Sequence, residues 1–140
     1  MEFNEKYIWV GVAIAVIFFL KLFGKGRGGV VVSHFTADLQ ILDPRFQACR
    51  PDADYCIFKE GKPHKIEIEV ENLPLQEGDV LDFYINQKPL ARVPVKRDLE
   101  AEFEHWSDGD VNFPEIKEGD KVDIIYQGHV IMTGVFREKT

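Results

Sequence analysis

Serine is almost absent from this chain: Ser33 and Ser107 are the only two in 140 residues, and neither stands in a G-x-S-x-G elbow. A serine nucleophile of the hydrolase kind therefore has no seat. The four histidines, His34, His64, His105 and His129, form no H-E-x-x-H or His-x-His pair, which removes the common metallohydrolase signature. No glycine-rich loop follows a strand and opens a helix, so the usual phosphate cradle is missing too. Glu67 and Glu69, or Glu102 and Glu104, could be paired carboxylates, but rows of glutamate outside an apolar strand read as the wet face of a sheet. The expectation is a protein that is not an enzyme and needs no cofactor; an enzyme with no recognisable motif is kept as the third reading, behind a binding module and a cation-binding domain.

Positive charge is also scarce, with 17 Lys plus Arg against 24 Asp plus Glu. Four of the basic residues (Lys6, Lys21, Lys25, Arg27) and two of the acidic ones (Glu2, Glu5) precede residue 30, which leaves 13 against 22 in residues 30–140. A body with net charge near −9 repels phosphate backbones, and no basic stripe interleaved with aromatics is present. Nucleic acid is excluded as a partner.

Cysteine occurs twice, as Cys49 and Cys56 in "ACRPDADYC". The Pro and Asp content reads as a loop, which would let the two bridge if the domain were exported and keep them as thiols in the cytoplasm. C-x6-C is not a zinc spacing, and no second Cys or His pair completes it. Aspartate is plentiful at Asp79, Asp82, Asp108, Asp110, Asp120 and Asp123. "SDGDVNF" at Ser107–Phe113 is the most calcium-like stretch, with Asp108 and Asp110 the metal candidates, although it lacks the ordered D-x-D-x-D-G series and a distal Glu. A divalent-cation (calcium) domain built on Asp-rich loops is the second reading.

One long apolar run exists. Tyr7–Leu20, "YIWVGVAIAVIFFL", has no polar interruption and contains Phe18 and Phe19; it reaches Phe23 if Lys21 snorkels its ammonium to the headgroups. Those 17 residues meet the lower limit of roughly 17–25 for spanning a bilayer core. Tyr7 and Trp9 mark one interface; Lys21, Lys25 and Arg27 mark the other. "MEFNEK" is acidic and "KLFGKGRGG" offers no A-x-A site, which argues against a cleaved signal. The reading is a short tail (1–6), a single transmembrane helix (7–23), a Gly-rich basic tether (24–29) and a β-domain (30–140). Three cations after the helix against Lys6 before it place the domain on the cytoplasmic side; the cysteine pair pulls toward the extracytoplasmic alternative.

From residue 30 onward the apolar period is two. Ile66, Ile68 and Val70 alternate with Lys65, Glu67, Glu69 and Glu71; Leu81, Phe83 and Ile85 form a second inward set, and Leu99, Ala101 and Phe103 a third. No amphipathic helix lies outside the apolar run. Short strands broken by Gly, Pro, Asn and Asp predict an all-β domain, an antiparallel sandwich or partly open barrel of about seven to nine strands.

Within it, residues 75–95 align on 116–136 at an offset of 41. Glu77-Gly78-Asp79 falls on Glu118-Gly119-Asp120, and Asp82 on Asp123. Each unit reads as a turn, a strand, a tight reversal ("NQKP", "QGH") and a return strand. Gly supplies the unusual backbone angle of the turn, so a duplicated hairpin explains the pattern without a ligand.

"IEIEVENLP", "FYINQKPLARVPV", "LEAEFEHW" and "QGHVIMTGVF" together make residues 66–136 resemble small bacterial β-rich domains of unknown function. The resemblance implies export and transfers no catalytic residue. The resulting expectation is a membrane-anchored interaction or structural module, contacting the lipid bilayer through its helix and an unidentified protein partner through its domain. Trp106, Phe113 and Tyr84 are candidate contact aromatics.

Overall fold

The structure, a computed structural model, describes residues 30–139 apart from 60, 61, 109 and 111. The expected helix over 7–23, with Tyr7, Trp9, Phe18, Phe19 and Lys21, lies outside the described residues, as do the tail and tether. No helix among the described residues is long and apolar enough to cross a membrane.

The described residues form an all-β antiparallel, nearly closed barrel. Its strands are β1 (Val31–Ala37), β2 (Gln40–Ile41), β3 (Arg50–Phe58), β4 (Lys65–Glu71), β5 (Val80–Ile85), β6 (Lys88–Pro94), β7 (Ala101–Trp106), β8 (Lys121–Tyr126) and β9 (His129–Glu138). The ladder runs β6-β5-β8-β9-β1-β3-β4-β7, and the two-residue β2 adds to β9. A single 3₁₀ turn, Pro44–Phe46, follows Asp43, whose side chain accepts the Arg45 N–H.

Period-two patterning put the right faces inward. Ile66, Ile68, Val70, Leu81 and Phe83 are fully buried, beside Ile124, Met132 and Phe136 from the second hairpin. Each such side chain contributes roughly 1.5–3 kcal/mol on leaving water. Three details differ from the sequence reading. Leu99 does not face inward: it sits in the corner before β7 at φ 64 and is 39% exposed. Lys65 and Glu67 face outward as expected but are buried, because Lys65 Nζ lies 3.4 Å from Glu67 Oε2 and 5.6 Å over the ring of Trp106, its cross-strand neighbour. "ACRPDADYC" is no loop: Arg50–Phe58 is the nine-residue strand β3.

The hairpins β5–β6 and β8–β9 carry the same hydrogen bonds 41 residues apart. Gly78 N–H donates to Val95 O and Val95 N–H to Asp79 O; Gly119 N–H donates to Phe136 O and Phe136 N–H to Asp120 O. Gly78 and Gly119 share φ values of 93 and 94. The reversals Asn86-Gln87 and Gln127-Gly128 all have positive φ, the backbone twist that a two-residue hairpin turn requires. Both pairings shift register at matching places, Phe83/Tyr84 and Ile124/Ile125.

Candidate interaction site: the seam between β6 and β7

The barrel fails to close between β6 and β7, the two ends of the ladder. At one end they are held together by the corner that joins them, where Lys96 N–H donates to Glu100 O at 2.8 Å and Lys96 Nζ lies 3.8 Å from Glu102. At the other end they splay, leaving a cleft of about 600 Å³. Buried Ile85 and half-buried Leu90, Phe103 and Pro114 supply its apolar lining; exposed Lys88 and Glu115 stand at its margin. That size falls within the roughly 300–1,000 Å³ of ordinary ligand pockets. A second hollow, lined by Asp82, Tyr84 and Arg92, shares Pro89 and Leu90 with the first, so the start of β6 is open from two directions.

His105 and Asp110 bring polar chemistry to the cleft. His105 Nε2 is 2.6 Å from Asp110 Oδ2, and the other carboxylate oxygen accepts the Asn112 N–H at 2.9 Å. The His105 hydrogen bond, then that of Asn112, hold the Asp110 carboxyl below its usual range. The imidazole lies between the rings of Phe103 and Phe113, and Phe113 also packs on Tyr55. No serine, threonine or cysteine is among the described residues that line the cleft.

The outer face of β3, β4 and β7 is acidic. Cross-strand pairing lines up Asp54, Glu67 and Glu104 in one row and Asp52, Glu69 and Glu102 in the next. Burial, then the hydrogen bond with Glu71 and the charges of Glu71, Glu102 and Glu100, push Glu69 up to about 8. Asp52 is pushed up to about 7, first by desolvation and then by sharing a proton with Asp54. Burial also raises Asp54, but the hydrogen bonds of His34, 2.6 Å away, and of Asp52 outweigh it and hold Asp54 low. Carboxylate oxygens of Glu69, Glu100 and Glu102, and of Glu67, Glu102 and Glu104, lie within 4.8 Å of one another. These glutamates, more than the Asp-rich loops, are the groups that could hold a divalent cation.

The sequence-derived candidates are dispersed by the fold. Asp108 is exposed, and Asp110 turns to His105 instead of joining it. Asp79 and Asp120 cap their own turns, accepting the N–H of Gln76 and of Lys117. Asp82 pairs with Arg92 at 3.0 Å, and buried Asp123 accepts the Thr133 hydroxyl at 2.6 Å. Trp106 stacks on Phe58, while half-buried Tyr84 borders the second hollow.

Cys49, the residue before β3, and Cys56, within it, are buried thiols. The six residues between them run extended along β3 and separate their Cα atoms by roughly 20 Å, beyond the ~7 Å a disulfide tolerates. The bridge expected on export is therefore incompatible with this strand.

Sequence reasoning missed the seam altogether. Its signal was Pro89 and Pro94, since proline within a strand marks a sheet edge. Comparison with known protein families finds no matching family, and comparison with curated proteins finds no matching relative.

Proposed function

We propose that this chain is a membrane-anchored, non-enzymatic module that binds another protein at the β6–β7 seam. The observation that carries the reading is the cleft itself: a pocket of mixed apolar and polar lining, placed where an otherwise continuous barrel leaves a strand edge open. The Tyr7–Phe23 run supports the anchor. With the cysteine bridge set aside, the Lys21, Lys25 and Arg27 flank favours the domain on the cytoplasmic side. The matching hairpins support the use of one unit twice, as scaffold and not as repeated active site.

The test is selection of binders from a displayed random-peptide library against the wild-type chain, followed by rebinding to Leu90→Asp, which places a charge in the cleft. Binders lost on that substitution support the seam. Binders indifferent to it place the interaction elsewhere.

A second reading, a divalent-cation domain, rests on the three converging carboxylates Glu69, Glu100 and Glu102. A cation that binds only the folded chain raises its melting temperature. Calcium titration should then stabilise the wild type and not Glu102→Gln; equal curves for both chains dismiss it.

A further inference from the structure

The second hairpin shows what belongs on the edge that the first leaves open. Asp82 pairs with Arg92 in β5–β6, and Asp123 with Thr133 in β8–β9. Arg92 and Thr133 thus hold the same position, 41 residues apart. On β9 that position is covered: Gln40 of β2 pairs with Thr133 and Ile41 with Met132. Leu39 is buried and Ile41 packs on the core, one on each side of exposed Gln40. On β6 no described strand pairs at that position on the side away from β5, and Arg92 borders the second hollow, which shares Pro89 and Leu90 with the seam cleft.

Backbone parity makes the same assignment. Val95 N–H donates to Asp79 O, so Val95, Val93 and Ala91 turn their peptide groups to β5. Arg92 turns its N–H and C=O the other way. Pro94 offers no N–H, and Pro89 none at the far end, which limits pairing on this edge to a short stretch around Leu90–Arg92.

From these relationships we infer that the Arg92 edge of β6 takes up a short extended segment of a partner protein, as β9 takes up β2. Its side chains alternate apolar–x–apolar, the apolar ones resting on Ile85, Leu90 and Phe103, and it carries Lys or Arg at x. The basic requirement follows from charge: Arg92, opposite x, already has its charge taken up by Asp82 at 3.0 Å, residues 30–140 hold 22 acidic against 13 basic side chains, and Glu102 and Glu104 point outward on the strand across the seam. One feature of the β2 contact does not carry over. Gly134 allows Asp38 O to come within 2.8 Å of where a Cβ would stand, whereas Val93 occupies the matching position on β6. The segment on β6 therefore passes without that crossing. Strand addition of this kind draws affinity from main-chain hydrogen bonds and specificity from alternate side chains.

The inference rests on the proposed seam reading and names its partner. The probe is a fluorescein-labelled peptide alternating lysine with leucine and isoleucine, titrated into the full chain in zwitterionic nanodiscs with empty nanodiscs as control. The expected result is saturable binding with slowed hydrogen exchange at the Arg92 amide. Arg92→Pro, or a proline replacing the central lysine of the probe, should weaken binding roughly fivefold to tenfold, the worth of one or two hydrogen bonds. The proline probe leaves the protein untouched, so it remains decisive if Arg92→Pro fails to fold. Binding abolished by Leu90→Asp but indifferent to both prolines overturns strand pairing while leaving the seam as a docking site. Absence of binding at about 1 mM overturns the inference; library binders still lost in Leu90→Asp would then keep the seam reading, and their absence would end it too.

Discussion

Glu69 on β4 stands directly opposite Glu102 on β7, so two carboxylates share one cross-strand position on the outer face of the barrel. Like charges placed this way oppose each other. With Glu71 hydrogen-bonded to Glu69 and Glu100 nearby, Glu69 is pushed up to about 8. An acid whose folded value lies above its unfolded one binds extra protons in the native state, so stability falls as pH rises from about 4.5 to about 8. Asp52, raised to about 7, adds slope in the same direction. Thermal melts between pH 4.5 and 9 should show this decline, and Glu69→Gln should flatten it. Water screens a half-buried group, so the gain at pH 9 should be only a fraction of the roughly 4–8 °C that 1 kcal/mol moves a small domain. Parallel curves for both chains would remove Glu69 as the source.

Glycine substitutions separate two kinds of constraint. Gly78 and Gly119 have positive φ with open space around them, so Gly119→Ala should cost about 1–2 kcal/mol of backbone strain alone. Gly134→Ala meets the Asp38 backbone at 2.8 Å and should cost about 1–3 kcal/mol, with β2 displaced from β9. Urea unfolding gives both numbers, and hydrogen exchange at Gln40 and Leu42 tells them apart: only the Gly134 variant should lose protection there.

Burial pushes Cys49 up to about 11 and Cys56 up to about 12, the latter helped by the charge of Asp54. Both thiols should ignore an aromatic disulfide reagent at pH 8 in the native protein and react once it is unfolded without reductant. Two thiols released per chain is the expectation. None released would mean a bridge, and with it a different path for residues 50–58.

Thr133→Val keeps the side-chain shape but removes the hydroxyl that donates to buried Asp123 at 2.6 Å. Leaving that carboxylate without its short donor should cost about 1–3 kcal/mol. Chemical denaturation measures the loss; a change below ~0.5 kcal/mol, the range of neutral surface substitutions, would show that Lys121, 3.7 Å away, suffices.

The strands were legible because alternation is local. Ile66, Ile68 and Val70 declare a face through three neighbouring choices, and the E-G-D turns declare themselves through the glycine at φ 93 or 94. Leu99 misled because its apolar character matched the period while its backbone, at φ 64, belongs to a corner. "ACRPDADYC" misled because Pro51 and Asp52 suggest a loop, whereas both pair with β4, and from Ala53 onward the segment pairs with β1 as well, which makes it a strand despite its composition.

By itself the sequence determined which residues alternate, where the chain reverses, that the domain is all-β and acidic, and that 75–95 and 116–136 have one pattern. All of these depend on contacts between near neighbours. Only the tertiary structure decided that β6 and β7 would be the two ends of the ladder, that the chain from Cys49 to Cys56 would run extended, and that Glu69 would face Glu102. Strand order and register come from long-range hydrogen-bonding and packing among all nine strands at once, and no short stretch contains them.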